Sequence, residues 1–179
     1  MPIINMAQLP KSRSAEEFEL ICGDYLRQRY NINAQQYGRN GQSQNGIDIV
    51  ASSLIQTGFY DVAQCKNYFR ASSANELIKK IAFDINEASK QTTIAISKFY
   101  VMTSFDRDLN VQKFVIGISP NYNFDIEVLF WEDIQVIVLE SEFLLSKYYP
   151  YFFCPPKNLR KRQIIRVYEA DDNSDIICV

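Results

Sequence analysis

Two short apolar runs joined by a turn place the strongest constraint on how this chain folds. Residues 47–54 and 59–66 each have the composition of a β-strand, and the Gln-Thr-Gly sequence between them suits a hairpin turn. The pattern therefore predicts two antiparallel neighbouring strands. Because side chains two apart on a strand share a face, Gln64 and Lys66 point the same way, and the hairpin brings Asp48 within their reach.

The rest of the chain predicts helices and strands in alternation. Ser14 and Ser73 each begin a capping box that is followed by an amphipathic helix pattern. The expected elements are helices over residues 14–29 and from 73 to about 90, strands over 98–104 and 124–130, a short helix near 107–116 and a mostly helical stretch over 131–149. This order predicts an α/β fold with a mixed central β-sheet flanked by helices.

At 179 residues the chain is long enough for one domain with a substantial core. We expect that domain over residues 1–153, followed by a C-terminal tail over 154–179 that holds a basic and then an acidic cluster. The 4 cysteines lack metal-finger spacing, and neither a signal peptide nor a membrane-spanning run is evident. These features predict a cytoplasmic protein with reduced cysteines.

The absence of histidine limits the chemistry that the chain can perform. It excludes Ser-His-Asp hydrolysis, Cys-His proteolysis and zinc sites built from imidazole ligands. Any hydrolytic reaction must therefore use carboxylates, amides, lysine and hard cations. The formal net charge of −2 gives no general argument for binding to nucleic acid.

The hairpin residues form a candidate site for a divalent cation and an activated water. Asp48 is the expected principal ligand of Mg²⁺, with the side-chain carbonyl of Gln64 and the backbone carbonyl of Cys65 beside it. Glu19, from the first helix, would complete the site directly or through water. Lys66 would orient the attacking water or stabilise charge in the transition state.

Each of these residues also has a plain structural interpretation. Asp48 is alternatively an exposed or turn-capping residue, Gln64 a polar neighbour, and Lys66 a lysine at the end of a strand. The helix residue is alternatively a solvated glutamate, and Glu16 and Glu17 are further candidates for its role.

The order of the motifs resembles the PD-(D/E)xK nuclease superfamily and, within it, Mrr-type restriction endonucleases. The matching segments lie within residues 14–140 and are Phe18-Glu19, Gly46-Ile47-Asp48-Ile49 and Gln64-Cys65-Lys66. The Gly-rich segment before Asp48 is also similar to nuclease modules at the N-termini of anti-phage defence proteins. One departure is Gln64, an amide where the superfamily usually has a second carboxylate.

The resemblance implies a restriction endonuclease-like core and a Mg²⁺-dependent endonuclease that acts on DNA in restriction or antiviral defence. It implies that Mn²⁺ substitutes for Mg²⁺, and that the partners are double-stranded DNA and either a second copy of the chain or a separate recognition protein, without a membrane. Two alternatives stay open: a catalytically silent nuclease-like module that binds nucleic acid or a protein, and an RNA-cleaving relative.

Six further residues are candidate DNA contacts, because they lie in the loop before Asp48 or on the helix after Lys66. They are Arg39, Gln42, Ser43, Gln44, Lys79 and Lys80. Arg39, Lys79 and Lys80 are equally well explained as solvated surface residues, and composition alone favours a plain connecting loop over residues 31–46. The basic cluster over residues 157–166 would contact DNA or a partner domain.

Overall fold

The structure, a computed structural model, describes residues 8–38, 45–68 and 73–152. In chain order its elements are α1 (Ala15–Tyr30), β1 (Gln35–Gln36), β2 (Ile49–Ser52), β3 (Tyr60–Lys66), α2 (Ala74–Ser89), β4 (Ile96–Thr103), α3 (Leu109–Ile118), β5 (Asp125–Leu129), α4 (Trp131–Glu140) and α5 (Glu142–Tyr148). A single 3₁₀ turn, Ser119–Asn121, connects α3 to β5. None of the described helices is long and apolar enough to cross a membrane.

The five strands form one mixed sheet in the order β1-β2-β3-β4-β5. β1 and β3 each pair with β2 in the antiparallel direction, whereas β3, β4 and β5 are parallel neighbours. The parallel pairs need crossover connections, and α2 and α3 provide them. The predicted α/β class, with a mixed sheet flanked by helices, is confirmed, and so is the antiparallel hairpin of β2 and β3.

Two apolar layers cover the opposite faces of the sheet. One contains the buried faces of α1, α4 and α5, and the other contains those of α2 and α3. Ala63 and Cys65 of β3 belong to the first layer, and Val62 belongs to the second. Since side chains alternate along a strand, Gln64 and Lys66 lie on the α2 side.

The helix starts follow the predicted caps. The hydroxyl of Ser14 accepts a hydrogen bond from the backbone N–H of Glu17, and that of Ser73 accepts one from Glu76. α1 ends where Asn31 adopts a left-handed conformation with φ of 54° and returns its N–H to the carbonyl of Arg27. Capping chemistry is local, which is why the sequence predicts these helix starts well.

Apart from shifts of one or two residues at the ends of elements, the structure differs from the predicted elements in two places. The helical stretch over 131–149 is broken at Ser141, whose hydroxyl accepts from the N–H of Leu144 and begins α5. The edge strand Gln35–Gln36 was missed, because two exposed glutamines carry no apolar alternation. The expected tail over 154–179 lies outside the described residues.

Candidate functional site

Asp48 lies where the β2–β3 ladder ends. Ile49 pairs with Ala63, and the N–H of Asp48 donates to the carbonyl of Ala63 at 2.8 Å. β3 continues beyond this bond over residues 64–66, where its ladder runs with β4 alone. The edge of β3 that faces away from β4 is therefore open to the Asp48 side chain.

The carboxylate of Asp48 takes the place that a further β2 residue would occupy. Its Oδ2 accepts from the backbone N–H of Cys65 at 2.7 Å and from Nε2 of Gln64 at 2.6 Å. The N–H and C=O of one strand residue point to the same side, so the carbonyl of Cys65 also faces Asp48. In agreement, Nε2 of Gln64 lies 3.4 Å from that carbonyl oxygen.

The charge of Asp48 is only partly compensated. Burial raises the pKa of Asp48. The Cys65 N–H, the charge of Lys66 and the side chain of Gln64 lower this pKa, but it still lies above the ordinary range. Among the described residues, both hydrogen-bond donors meet Oδ2 and none meets Oδ1. Within the described part of the chain, the two oxygens of this carboxylate therefore differ in their surroundings.

Lys66 forms an ion pair with a carboxylate that the sequence analysis missed. Its Nζ lies 2.7 Å from Oδ2 of Asp84 on α2, and the two side chains are 20% and 11% exposed. Burial raises the pKa of Asp84, and the Lys66 ammonium opposes that rise without cancelling it. Asp84 also acts on Asp48, whose pKa its charge helps to raise.

A sequence signal for Asp84 was present in the helix register. Leu77, Ile81 and Ala88 are buried on the inner face of α2, and Asp84 occupies the same face at spacings of three and four residues. A carboxylate at such a position is rarely buried without a partner. The register therefore marks Asp84 as a paired residue, although it does not identify Lys66 as the partner.

Glu19 approaches the site from the α1 layer. Burial raises the pKa of this half-buried carboxyl, the charge of Asp48 raises it further, and Lys66 lowers it. The two alternative glutamates are engaged at the start of the helix, because Glu16 accepts from the hydroxyl of Ser14 and Glu17 from that of Ser12. Among these three glutamates of α1, Glu19 is therefore the one that interacts electrostatically with Asp48.

The donor set fits one hard cation with a largely aqueous coordination shell. No group of three or more cysteine and acidic side chains within the described ranges is arranged to hold a metal ion. Asp48 supplies one carboxylate and Cys65 a carbonyl, and Mg²⁺ commonly uses one or two carboxylates while keeping several waters. The hydrogen bonds orient the nitrogen of Gln64 toward Asp48, so its predicted role as an oxygen ligand stays a prediction.

Two of the candidate DNA contacts can be placed. Lys80 forms an ion pair with Glu76 at 2.8 Å, and its ammonium lies 5.1 Å from the ring centroid of Tyr68. Lys80 lies one helical turn before Asp84 on α2, and its charge lowers the pKa of Asp84. Lys79 is exposed on the same helix. The other four residues, Arg39, Gln42, Ser43 and Gln44, lie outside the described residues, as does the basic cluster over 157–166.

Comparisons with known proteins do not assign a family. The chain matches none of the protein-family models, and a search of curated proteins also gives no match. What the site can do therefore follows from its own donors, charges and burial.

Proposed function

We propose that this chain is a metal-dependent endonuclease that hydrolyses the phosphodiester bonds of DNA in restriction or anti-phage defence. The supporting observation is the buried carboxylate of Asp48. Its two donors among the described residues both meet Oδ2, and the carbonyl of Cys65 faces the same space. Carboxylate and carbonyl oxygens are the ligands that a hard divalent cation requires, and the carboxylate here has negative charge that its neighbours only partly compensate. The resemblance to Mrr-type nucleases makes DNA the expected substrate.

The residues around Asp48 have distinct roles in this proposal. Bound Mg²⁺ supplies a polarised water and neutralises charge on the phosphate. Asp48 and the Cys65 carbonyl would hold the cation, while Gln64 fixes the orientation of the Asp48 carboxylate through its N–H. The ammonium of Lys66 would stabilise negative charge that develops at phosphorus.

Two further groups act at the edges of the site. Glu19 would hold a water in the coordination shell, because its carboxylate lies within the field of both Asp48 and Lys66. Lys79 and Lys80 on α2 would contact phosphates of the DNA backbone, which fixes orientation without reading sequence. Arg39 and the polar loop residues 42–44 remain proposed contacts on the basis of the sequence alone.

Cleavage of supercoiled plasmid by the purified full chain tests the proposal. We expect nicked or linear product with Mg²⁺ or Mn²⁺, none with EDTA, and none from Asp48→Ala or Lys66→Ala. Glu87→Gln is the matched control, since Glu87 is an ion-paired carboxylate on α2 whose partner is Lys90 rather than a residue of the site. Equal cleavage by wild type and Asp48→Ala would contradict the proposal and indicate a contaminating nuclease.

A second candidate is a module that binds nucleic acid without cleaving it. The observation that favours it is Gln64, which replaces a carboxylate and gives its N–H to Asp48, leaving less negative charge for a metal. Retarded migration of labelled DNA without cleavage under any metal would support this candidate. Labelled single-stranded RNA in the same assay distinguishes an RNA-cleaving activity.

A further inference from the structure

We propose that Asp84 is a positioning residue that holds the ammonium of Lys66 away from Oδ1 of Asp48, the oxygen to which no described residue donates. This inference rests on the proposed function and adds helix α2 to the site. It assigns Asp84 a role in keeping the cation position free, in addition to orienting the lysine toward a phosphate.

The ion pair itself is the first support. Nζ of Lys66 lies 2.7 Å from Oδ2 of Asp84, and the contact is an ion pair without the alignment of a regular hydrogen bond. An ammonium has three N–H donors, so this contact leaves others for a phosphate or a water. A flexible lysine side chain needs such a partner to stay in one orientation.

The position of Asp84 in its helix is the second support. It occupies the buried face of α2, between Ile81 and Ala88, where an apolar residue would pack without desolvating a charge. Burying a carboxylate there is favourable only with a well-placed partner. Lys66 is the ion-pair partner that the structure gives it.

The backbone provides a third, independent support. Gly46 has φ of +76°, and a Cβ atom there would lie 2.6 Å from the carbonyl oxygen of Asp84. The chain therefore passes directly against α2 two residues before Asp48. This contact places the segment before Asp48 against α2, and the charge of Lys66 acts on both carboxyls.

The consequence follows from the charges. Without Asp84 the Lys66 ammonium would be attracted to the incompletely compensated carboxylate of Asp48, on which its charge already acts. A lysine that turned to Oδ1 would occupy the place expected for the divalent cation. Asp84 thus supplies from α2 a carboxylate that prevents this competition, at a site where position 64 has an amide.

Competitive acetylation of the full chain, read by mass spectrometry, tests the hold on Lys66 without relying on cleavage. In Asp84→Asn we expect the acetylation rate of Lys66 to change by several-fold, because its ion-pair partner is gone. The rate should be unchanged in Glu87→Gln, and that of exposed Lys79 unchanged in every variant. An unaltered Lys66 rate in folded Asp84→Asn would overturn the inference.

Titration with Mn²⁺ alone, followed by calorimetry, tests the effect on the cation position. Asp84→Asn should weaken Mn²⁺ binding about tenfold, whereas the same change in a Lys66→Met background should weaken it by less than about threefold. Equal weakening in both backgrounds would show that Asp84 does not act through Lys66. Asp84→Leu, which continues the apolar face of α2, is the second variant if Asp84→Asn does not fold.

These readouts separate the inference from the proposed function. A wild-type chain that neither binds Mn²⁺ nor cleaves plasmid contradicts the nuclease proposal, while the acetylation rates still decide whether Asp84 holds Lys66. A chain that binds Mn²⁺ and cleaves, with Lys66 acetylation unaffected by Asp84→Asn, keeps the function and removes the role of Asp84.

Discussion

Two buried aspartates, Asp24 on α1 and Asp48 before β2, have opposite surroundings. At Asp24 both oxygens are occupied: Oδ1 accepts from Arg27 at 2.5 Å, and Oδ2 accepts from Lys147 and from the hydroxyl of Tyr148, each at 2.6 Å. At Asp48 both donors meet Oδ2, and no described residue donates to Oδ1. The first carboxylate joins α5 to α1, whereas the described residues bond the second through one oxygen alone.

The pKa values of the two carboxyls are shifted in opposite directions, because hydrogen bonds outweigh burial at one carboxyl and not at the other. Burial would raise both, but hydrogen bonds from Lys147, Tyr148 and Arg27 outweigh burial at Asp24 and lower its pKa. At Asp48 burial prevails and the pKa is raised. A saturated carboxylate stabilises the fold, whereas an undercompensated one costs stability, which proteins commonly tolerate at functional sites.

The largest contrast is expected in catalysis. Asp48→Asn should reduce plasmid cleavage by at least about 100-fold, because it removes the charged oxygen proposed to hold the cation. Asp24→Asn should retain cleavage when both proteins are assayed at a temperature where they are folded. Initial rates of nicking measure the difference, and comparable losses in the two variants would remove the distinction between the sites.

The contrast should reverse for stability. Asp24→Asn should lower the free energy of unfolding by about 1–3 kcal/mol, a range reduced from that of a fully buried pair because Arg27 and Lys147 are partly exposed. Asp48→Asn should leave the free energy unchanged or raise it, since it removes an undercompensated buried charge. Urea denaturation followed by circular dichroism measures both. A larger loss in Asp48→Asn than in Asp24→Asn would contradict the comparison.

Two glycines with positive φ test how tightly α2 approaches the segment before Asp48. Gly46→Ala should cost about 2–3 kcal/mol, because backbone strain adds to a collision with the carbonyl of Asp84. Gly58→Ala, with φ of +82° and nothing within 4 Å of the added atom, should cost only about 1 kcal/mol of strain. Thermal unfolding compares them, and equal losses would show that the contact with Asp84 is unimportant.

The smallest expected effect is the dependence of these stability differences on pH. The contribution of Asp24 is fully present above the unfolded pKa, ordinarily 3.8, and is lost as the pH falls through the lower folded value. The penalty at Asp48 is fully present above its raised folded pKa and disappears as the pH falls toward 3.8.

Urea titrations at about pH 7, pH 5 and pH 3.5 check the two signs. The gap between wild type and Asp24→Asn should persist at the middle pH and narrow only at the lowest. Any gain in the free energy of unfolding of Asp48→Asn over wild type should shrink at a higher pH than the gap for Asp24→Asn does. The opposite order would show that the two carboxyls have been assigned the wrong surroundings.

The sequence predicted the features that depend on neighbouring residues. Ser14 and Ser73 determine where α1 and α2 begin, because a capping hydroxyl acts within one helical turn. The β2–β3 hairpin follows from two apolar runs with a glycine turn between them. It also brought Asp48 to Gln64, since an antiparallel hairpin fixes which residues meet across it.

The main feature that the sequence did not predict is a contact between distant elements. Lys66 and Asp84 meet only because α2 packs on the face of β3 that carries Lys66, and no local pattern encodes that pairing. The amide nitrogen rather than the oxygen of Gln64 faces Asp48, because the nearest group is a carboxylate acceptor. The break at Ser141 was hidden by helix-compatible residues on both sides.

The most direct test of the central claim is a crystal structure of the full chain soaked with Mn²⁺. We expect an anomalous peak within coordination distance, about 2.0–2.6 Å, of Oδ1 of Asp48 and the carbonyl of Cys65, with Lys66 still paired to Asp84. Absence of the peak at Asp48, with Mn²⁺ bound elsewhere or the Lys66 ammonium on Oδ1, would contradict it.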